Sequence, residues 1–241
     1  MAFPLAHPAA VLPLRRYCPR WLSFPALVIG SLSPDAGYCL RNLGGLDWGT
    51  FSHGLLGSVA FCLPVGVVLL ALFYGLRAPV VRMLPAPYQQ AFLPLCWRPL
   101  GSPWAVVISL LIGVWTHLLW DSFTHKDGWC VAHLPMLQYV VVTVAGRTAR
   151  VFILLWYVST FAGMIWLFLV FDKWKRACVN EGATASGKGG LRYAVLVALL
   201  VLPIELVHHL FGSDRPGLYL IAAACALPVL WITLKLGNAR R

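Results

Sequence analysis

Long apolar blocks separated by polar, proline-rich connections set the pattern of this chain. The first block, Leu55 to Leu76, carries no charge across the roughly 20 residues that an α-helix needs to cross about 30 Å of hydrocarbon. Four more follow: Trp104 to Trp120, Val151 to Phe171, Tyr193 to Phe211 and Leu218 to Leu234. The pattern predicts an all-α integral membrane protein with about five transmembrane helices, forming a single membrane domain over residues 1–241. Residues 1–53 precede the first block and are expected to lie at the membrane interface.

The connections are informative in turn. The stretch from Arg77 to Pro103 holds Pro79, Pro85, Pro87, Pro94, Pro99 and Pro103, so it is not expected to be one long helix. Trp21 to Leu32 is apolar but too short to span, is interrupted by Pro25 and follows Arg15, Arg16 and Arg20. It is not a clean signal peptide and reads as an interfacial or re-entrant segment. The loop from about Asp121 to Arg150 contains a second short apolar piece, Val131 to Ala145, interrupted by Pro135. Residues 181–190, EGATASGKGG, read as a flexible linker between the third and fourth spans, and no internal repeat is visible.

Composition agrees with the blocks: 60% of residues are hydrophobic, 11% are charged, and the mean hydropathy is +0.77. The formal charge of +11 comes from 19 Lys and Arg scattered through the connections. Such charges meet lipid headgroups and set topology, which excludes nucleic acid as the expected partner and favours membrane lipid. Trp97, Trp104, Trp120, Trp174 and Trp231 fall at or near block ends, where an amphipathic ring suits the headgroup layer. The seven cysteines form no CxxC pair and give no disulfide framework.

Counting spans places the polar residues. If the first span is entered at Gly54 and the second is left near Trp120, the two ends share one membrane face, here called face A. His53, His117, Asp121 and His125 then lie on face A, joined by His7 and Asp35 if the preceding segment does not cross. His133 lies in a face A loop, and Glu205, His208 and His209 return there at the end of the fourth span. All seven histidines map to one face. On this topology eight Lys and Arg fall on face A (15, 16, 20, 41, 126, 147, 150, 215) and eleven on the opposite face, a margin too thin to orient the protein.

Within THLLWDSFTH, helical spacing would put His117, Asp121 and His125 on one face, a turn apart. Imidazole nitrogen with carboxylate oxygen is a ligand mixture suited to zinc and similar divalent ions. Ionisable groups at membrane depth are costly and tend to be paired or functional; the plain alternative is a His117–Asp121 hydrogen bond. Asp35 follows Ser33-Pro34, which also reads as a turn, and His53 opens the first span, where a polar end-marker is common. Glu205, His208 and His209 offer either a further ligand or a local hydrogen bond. There is no Walker loop, Gly-x-Ser-x-Gly elbow or His-Glu-x-x-His motif.

Four ordered pieces, Phe3-Pro4-Leu5-Ala6-His7-Pro8-Ala9-Ala10, Ala26 through Asp35, Ser52-His53-Gly54-Leu55-Leu56-Gly57 and His117 through His125, resemble a bacterial membrane family called domain of unknown function 4184. The order His, Pro-Asp, Ser-His, His-x-x-x-Asp is also similar to membrane-bound metal-dependent hydrolases and, more remotely, to zinc-dependent phospholipase C. The resemblance implies His7, Asp35, His53, His117 and Asp121 as metal ligands, with zinc the expected ion and the cell membrane of a bacterium the expected location. The expected activity is hydrolysis of an ester or phosphoester, lipid among the candidates, with Asp35 or Asp121 taking a proton from water and His125 protonating the leaving group. The alternatives are a cation, proton or small-solute transporter, whose sites usually lie near the midplane on repeated elements, and a purely structural metal in a closed four-ligand shell.

Overall fold

The computed structural model describes residues 4–40, 43–144 and 147–179. The spans expected at 193–211 and 218–234, with Glu205, His208 and His209, lie outside the described residues. The described chain begins with 3₁₀ turns at Pro4–Ala6 and Leu12–Tyr17 that flank α1 (Pro8–Val11), followed by α2 (Phe24–Gly30), α3 (Ala36–Cys39) and α4 (Trp48–Ser52). A continuous rod then combines α5 (Leu55–Gly57), a π turn at Ser58–Cys62 and α6 (Leu63–Arg82). Next come α7 (Ala86–Cys96), α8 (Pro103–Thr124) and α9 (Trp129–His133), then strands β1 (Val140–Val144) and β2 (Arg147–Arg150), and last α10 (Val151–Cys178).

Among the described residues, three helical stretches are long and apolar enough to cross a membrane: Leu55–Arg82, Pro103–His133, which joins α8 to α9, and Val151–Cys178. Large apolar side chains such as Val68, Leu72, Ile108, Leu119, Val158 and Leu169 remain exposed on all three. A soluble monomer does not carry that much apolar surface; hydrocarbon is the solvent that suits it. The first helix runs past the expected Leu76, through Pro79 to Arg82, and the third past Phe171 into a charged end where Arg176 Nη2 lies 2.7 Å from Asp172.

The all-helical expectation needs one correction. The apolar piece Val131 to Ala145 contributes not only α9 but also β1, which pairs antiparallel with β2 through Val142↔Ala149 and Thr143↔Thr148. Val140-Val141-Val142-Thr143 is a run of β-branched residues, whose stiff χ1 angles favour a strand over a helix.

The first two long helices form an antiparallel hairpin. Trp115 Nε1 donates to Ser58 Oγ (3.3 Å), Phe61 and Cys62 pack on Val114, and Leu70 packs on Val106 and Leu110. Residues 53 and 121 therefore stand at one end of the hairpin. The amino-terminal segment lies alongside it rather than apart from it. Ser23 N donates to Ser109 Oγ (2.8 Å), while eight residues on, the Ser31 carbonyl accepts from His117 Nδ1 (2.8 Å). So α2 runs parallel to α8 over about 12 Å, at 1.5 Å per residue.

Glycine makes that contact possible. A Cβ at Gly30 would drive into the Leu110 carbonyl, and one at Gly113 into the Leu27 carbonyl. Two bare backbones can approach as no pair of side-chain-bearing residues could. On the other side of α8, α10 clamps the start of the chain: Trp120 Nε1 donates to Ser159 Oγ (3.0 Å), and Gly163 sits against Trp120, Ala6 and Ala9.

Candidate metal centre

Each donor is delivered by a local device. Asp47 caps α4 by accepting from Thr50 N (3.2 Å), and the helix ends one residue before His53. Ser52 Oγ donates to the Pro34 carbonyl (2.8 Å), tying that end to the Ser-Pro-Asp turn that holds Asp35. Ser102 caps α8 with Pro103 in its first turn, and the helix carries His117 and Asp121 on its buried side. His7 begins α1 and is completely buried, its ring stacked on that of His117 at 3.7 Å between centroids and edge-on to Trp120.

The five residues that the family resemblance implies as ligands meet at one place. Asp121 Oδ2 lies 3.3 Å from His117 Nε2 and 3.6 Å from His53 Nε2. The two imidazole Nε2 atoms are 3.3 Å apart, and Asp35 Oδ1 stands 3.8 Å from His117 Nε2 and 3.9 Å from His53 Nε2. The other oxygen of Asp121 faces His7 Nε2 at 3.5 Å. Two overlapping donor groups can hold a metal ion: His7, His117 and Asp121, and Asp35, His53 and His117.

The protonation pattern follows from the backbone. His117 Nδ1 meets the Ser31 carbonyl at 2.8 Å, and His53 Nδ1 meets the Gly49 carbonyl at 2.8 Å. A carbonyl oxygen only accepts, so each ring carries its proton on Nδ1. In the neutral rings both Nε2 atoms are then lone pairs, aimed at each other across 3.3 Å. A cation bound between two facing lone pairs would relieve their repulsion. A carbonyl holding Nδ1–H is also the outer partner that orients histidine ligands in metalloproteins.

Burial keeps the His7 and His53 imidazoles neutral, the form that ligates a metal. With the neighbouring His117 ring adding to it, burial holds His7 well below the ordinary imidazole range and lowers His53 as well. Burial also pushes the Asp35 carboxyl up to about 6. Both nitrogens of His7, both oxygens of Asp35 and of Asp121, and Nε2 of His125 are buried with no hydrogen-bond partner among the described residues. Each orphaned buried atom costs roughly 1–3 kcal/mol. The carboxylate oxygens and one nitrogen of each neutral imidazole are acceptors, and one divalent cation would satisfy several of them at once.

The size of the gap fits such an ion. Ligands bound tetrahedrally at 2.0–2.1 Å stand about 3.3 Å from one another, and the separations among His53 Nε2, His117 Nε2, Asp35 Oδ1 and Asp121 Oδ2 given above run from 3.3 to 3.9 Å.

His125 does not share a helix face with His117 and Asp121, because α8 stops at Thr124 and His125 is extended (φ −114°, ψ 144°). Its Nδ1 nevertheless turns back to 3.4 Å from Asp121 Oδ1. His133 is exposed, stacked on Trp129 and bonded to the Trp129 carbonyl, and takes no part. Sequence reasoning assigns no role to Ser52 or to the Ser31 and Gly49 carbonyls, which hold the site in place. Ser52 adjoins His53 in the motif, which was its one visible signal; backbone acceptors leave none. Side-chain exposure is 17% at His53 and 24% at His125, against 0% at His7 and His117, so the cluster opens past the first two.

No curated protein and no solved structure matches the chain. A family model does match it, over residues 1–233, and the chain belongs to that family, the domain of unknown function DUF4184.

Proposed function

We propose that the chain is a membrane-bound, metal-dependent hydrolase of an ester or phosphoester, with a lipid headgroup as the substrate class and a bacterial cell membrane as its place. The observation that carries this reading is the convergence of His53, His117 and Asp121 at 3.3–3.6 Å, with Asp35 3.8–3.9 Å from both imidazoles and His7 on the second oxygen of Asp121. These five residues would hold the ion, and the mixture of nitrogen and carboxylate donors suits zinc. A divalent ion there would supply the charge that polarises the scissile group and lowers the pKa of water.

The chain's own groups handle the proton. Asp35, partly disengaged at 3.8 and 3.9 Å from the two imidazoles, would take it from water. His125, partly exposed at the mouth, would return it to the leaving oxygen. Water adds to the phosphorus or carbonyl carbon, the ester bond breaks, and the departing alkoxide leaves as an alcohol. A site that opens at the end of a membrane hairpin meets lipid first.

A second reading is a structural ion, favoured by the number of protein donors drawn together, since a closed shell of four leaves no position for water. The two part in one experiment. Purified protein and its Asp121→Asn and His125→Gln variants are assayed for bound metal and for release of headgroup from mixed phospholipid vesicles. The hydrolase reading expects metal and turnover in wild type, neither in Asp121→Asn, and metal without turnover in His125→Gln. Metal-loaded wild type that turns over no ester or phosphoester supports the structural ion.

A further inference from the structure

We infer that the metal centre faces the extracytoplasmic side and that the opposite end of the bundle is a basic collar seated on anionic lipid headgroups of the cytoplasmic leaflet. The inference does not depend on catalysis. It comes from where the amino-terminal arms lead. From His7, beside Asp121, the chain passes through α1 and the following 3₁₀ turn to Tyr17, whose carbonyl accepts from Trp21 N (3.0 Å), and Ser23 then bonds to Ser109. Arg15, Arg16 and Arg20 are all exposed in and beside this tip.

Distance along α8 decides where those guanidinium groups go. Ser109 stands about 9 Å from the Pro103 end of α8 and about 22 Å from its Thr124 end, at 1.5 Å per residue. An arginine side chain reaches water or headgroups only over the shorter distance, by snorkelling. The guanidinium of Arg16 lies over Tyr17 and that of Arg20 over Trp21, pairs of cation and aromatic ring suited to an interface. The three arginines therefore belong to the end away from the metal centre, although the sequence order puts them on face A.

That end already holds Arg77, Arg82 and Arg98 from the first hairpin. The end of α10 adds Lys173, Lys175 and Arg176, placed there by Phe92 against Phe171 and Trp174 and by Lys175 over Tyr88. At the metal end the described residues offer only Lys126, Arg147 and Arg150. A threefold excess of Lys and Arg close to the ends of the spans is the signature of the cytoplasmic side, and such charges are attracted to an anionic leaflet.

Two native cysteines test the inference. Cys39, exposed at the end of α3 beside the metal centre, and Cys178, exposed at the far end of α10, are followed by peptide mass after a membrane-impermeant maleimide is added to intact cells and to permeabilised cells. The expected result is Cys39 labelled in intact cells and Cys178 only after permeabilisation. The reverse pattern, or labelling of both from outside, overturns it. Asp127→Cys is a second probe for the metal end should Cys39 react in neither sample; labelling of position 127 only after permeabilisation overturns the orientation. Hydrolysis can fail while this labelling pattern stands, and the reverse also holds.

Discussion

A methyl group added far from any ligand should empty the metal centre. Gly113 faces α2 so closely that a Cβ there would meet Ser31 N at 2.7 Å and the Gly30 carbonyl carbon at 2.9 Å, with the Leu27 carbonyl closer still. All three are backbone atoms, so no side chain can swing aside. Restoring an ordinary contact of 3.4 Å requires α2 to withdraw by about 1 Å. Withdrawal carries off the Ser31 carbonyl that fixes the Nδ1 proton of His117, and with it the turn bearing Asp35. A metal site tolerates roughly 0.5 Å, and loss of an outer hydrogen bond to a ligand costs about 10- to 100-fold in affinity. Overpacking costs about 1–3 kcal/mol, which the apolar length of the spans absorbs, so Gly113→Ala should still insert and purify. The assay is metal retention against a graded chelator, with Gly75→Ala as control, since nothing lies within 4 Å of a Cβ on Gly75. Gly113→Ala holding metal as tightly as Gly75→Ala would refute the coupling of helix contact to the site.

His117→Ala and Asp121→Asn should each lower bound metal at least 10-fold by elemental analysis, because each removes an atom that the other donors surround at 3.3–3.6 Å; retention near wild type would mean the donors are not ligands. Asp35→Asn should lose metal while His133→Asn keeps it, and equal behaviour of the two would show that closeness to the cluster is not what matters. Metal retention should fall as the pH drops through about 6, where a proton competes for Asp35. The ion-free protein should show the opposite slope in thermal unfolding. Its folded state keeps a proton on Asp35 that the unfolded chain, at the ordinary value of 3.8, has released, so stability declines as the pH rises from 3.8 toward 6, and added metal should abolish the decline.

Block length and span counting made the first hairpin legible, because apolar length is what a bilayer selects, and with it the meeting of His53 with His117 and Asp121. The i, i+4 spacing of His117 and Asp121 was equally plain. His125 was misplaced because its position depends on the helix ending at Thr124, and THLLWDSFTH continues the helical spacing without a proline or glycine to announce that end. The depth of the amino-terminal arms was hidden for a different reason. Trp21 to Leu32 is too short to span, and only the paired absence of side chains at Gly30 and Gly113, far apart in sequence, lets it lie against α8. The strand at Val140–Val144 did carry a signal in its β-branched run, but apolarity alone does not separate a short strand from a short membrane segment.

The arms also bear on how the protein is made. His7, Asp35 and His53 leave the ribosome before α8 exists, and the arm holding His7 is completed only when Gly163 arrives against Ala6 and Ala9. Assembly therefore cannot follow the order of synthesis: the arm holding His7 settles only after residues made much later arrive. A nascent chain stopped before Pro103 would carry three of the five donors and no surface to hold them, so any ion the cluster takes would be loaded late, as a step that closes biogenesis.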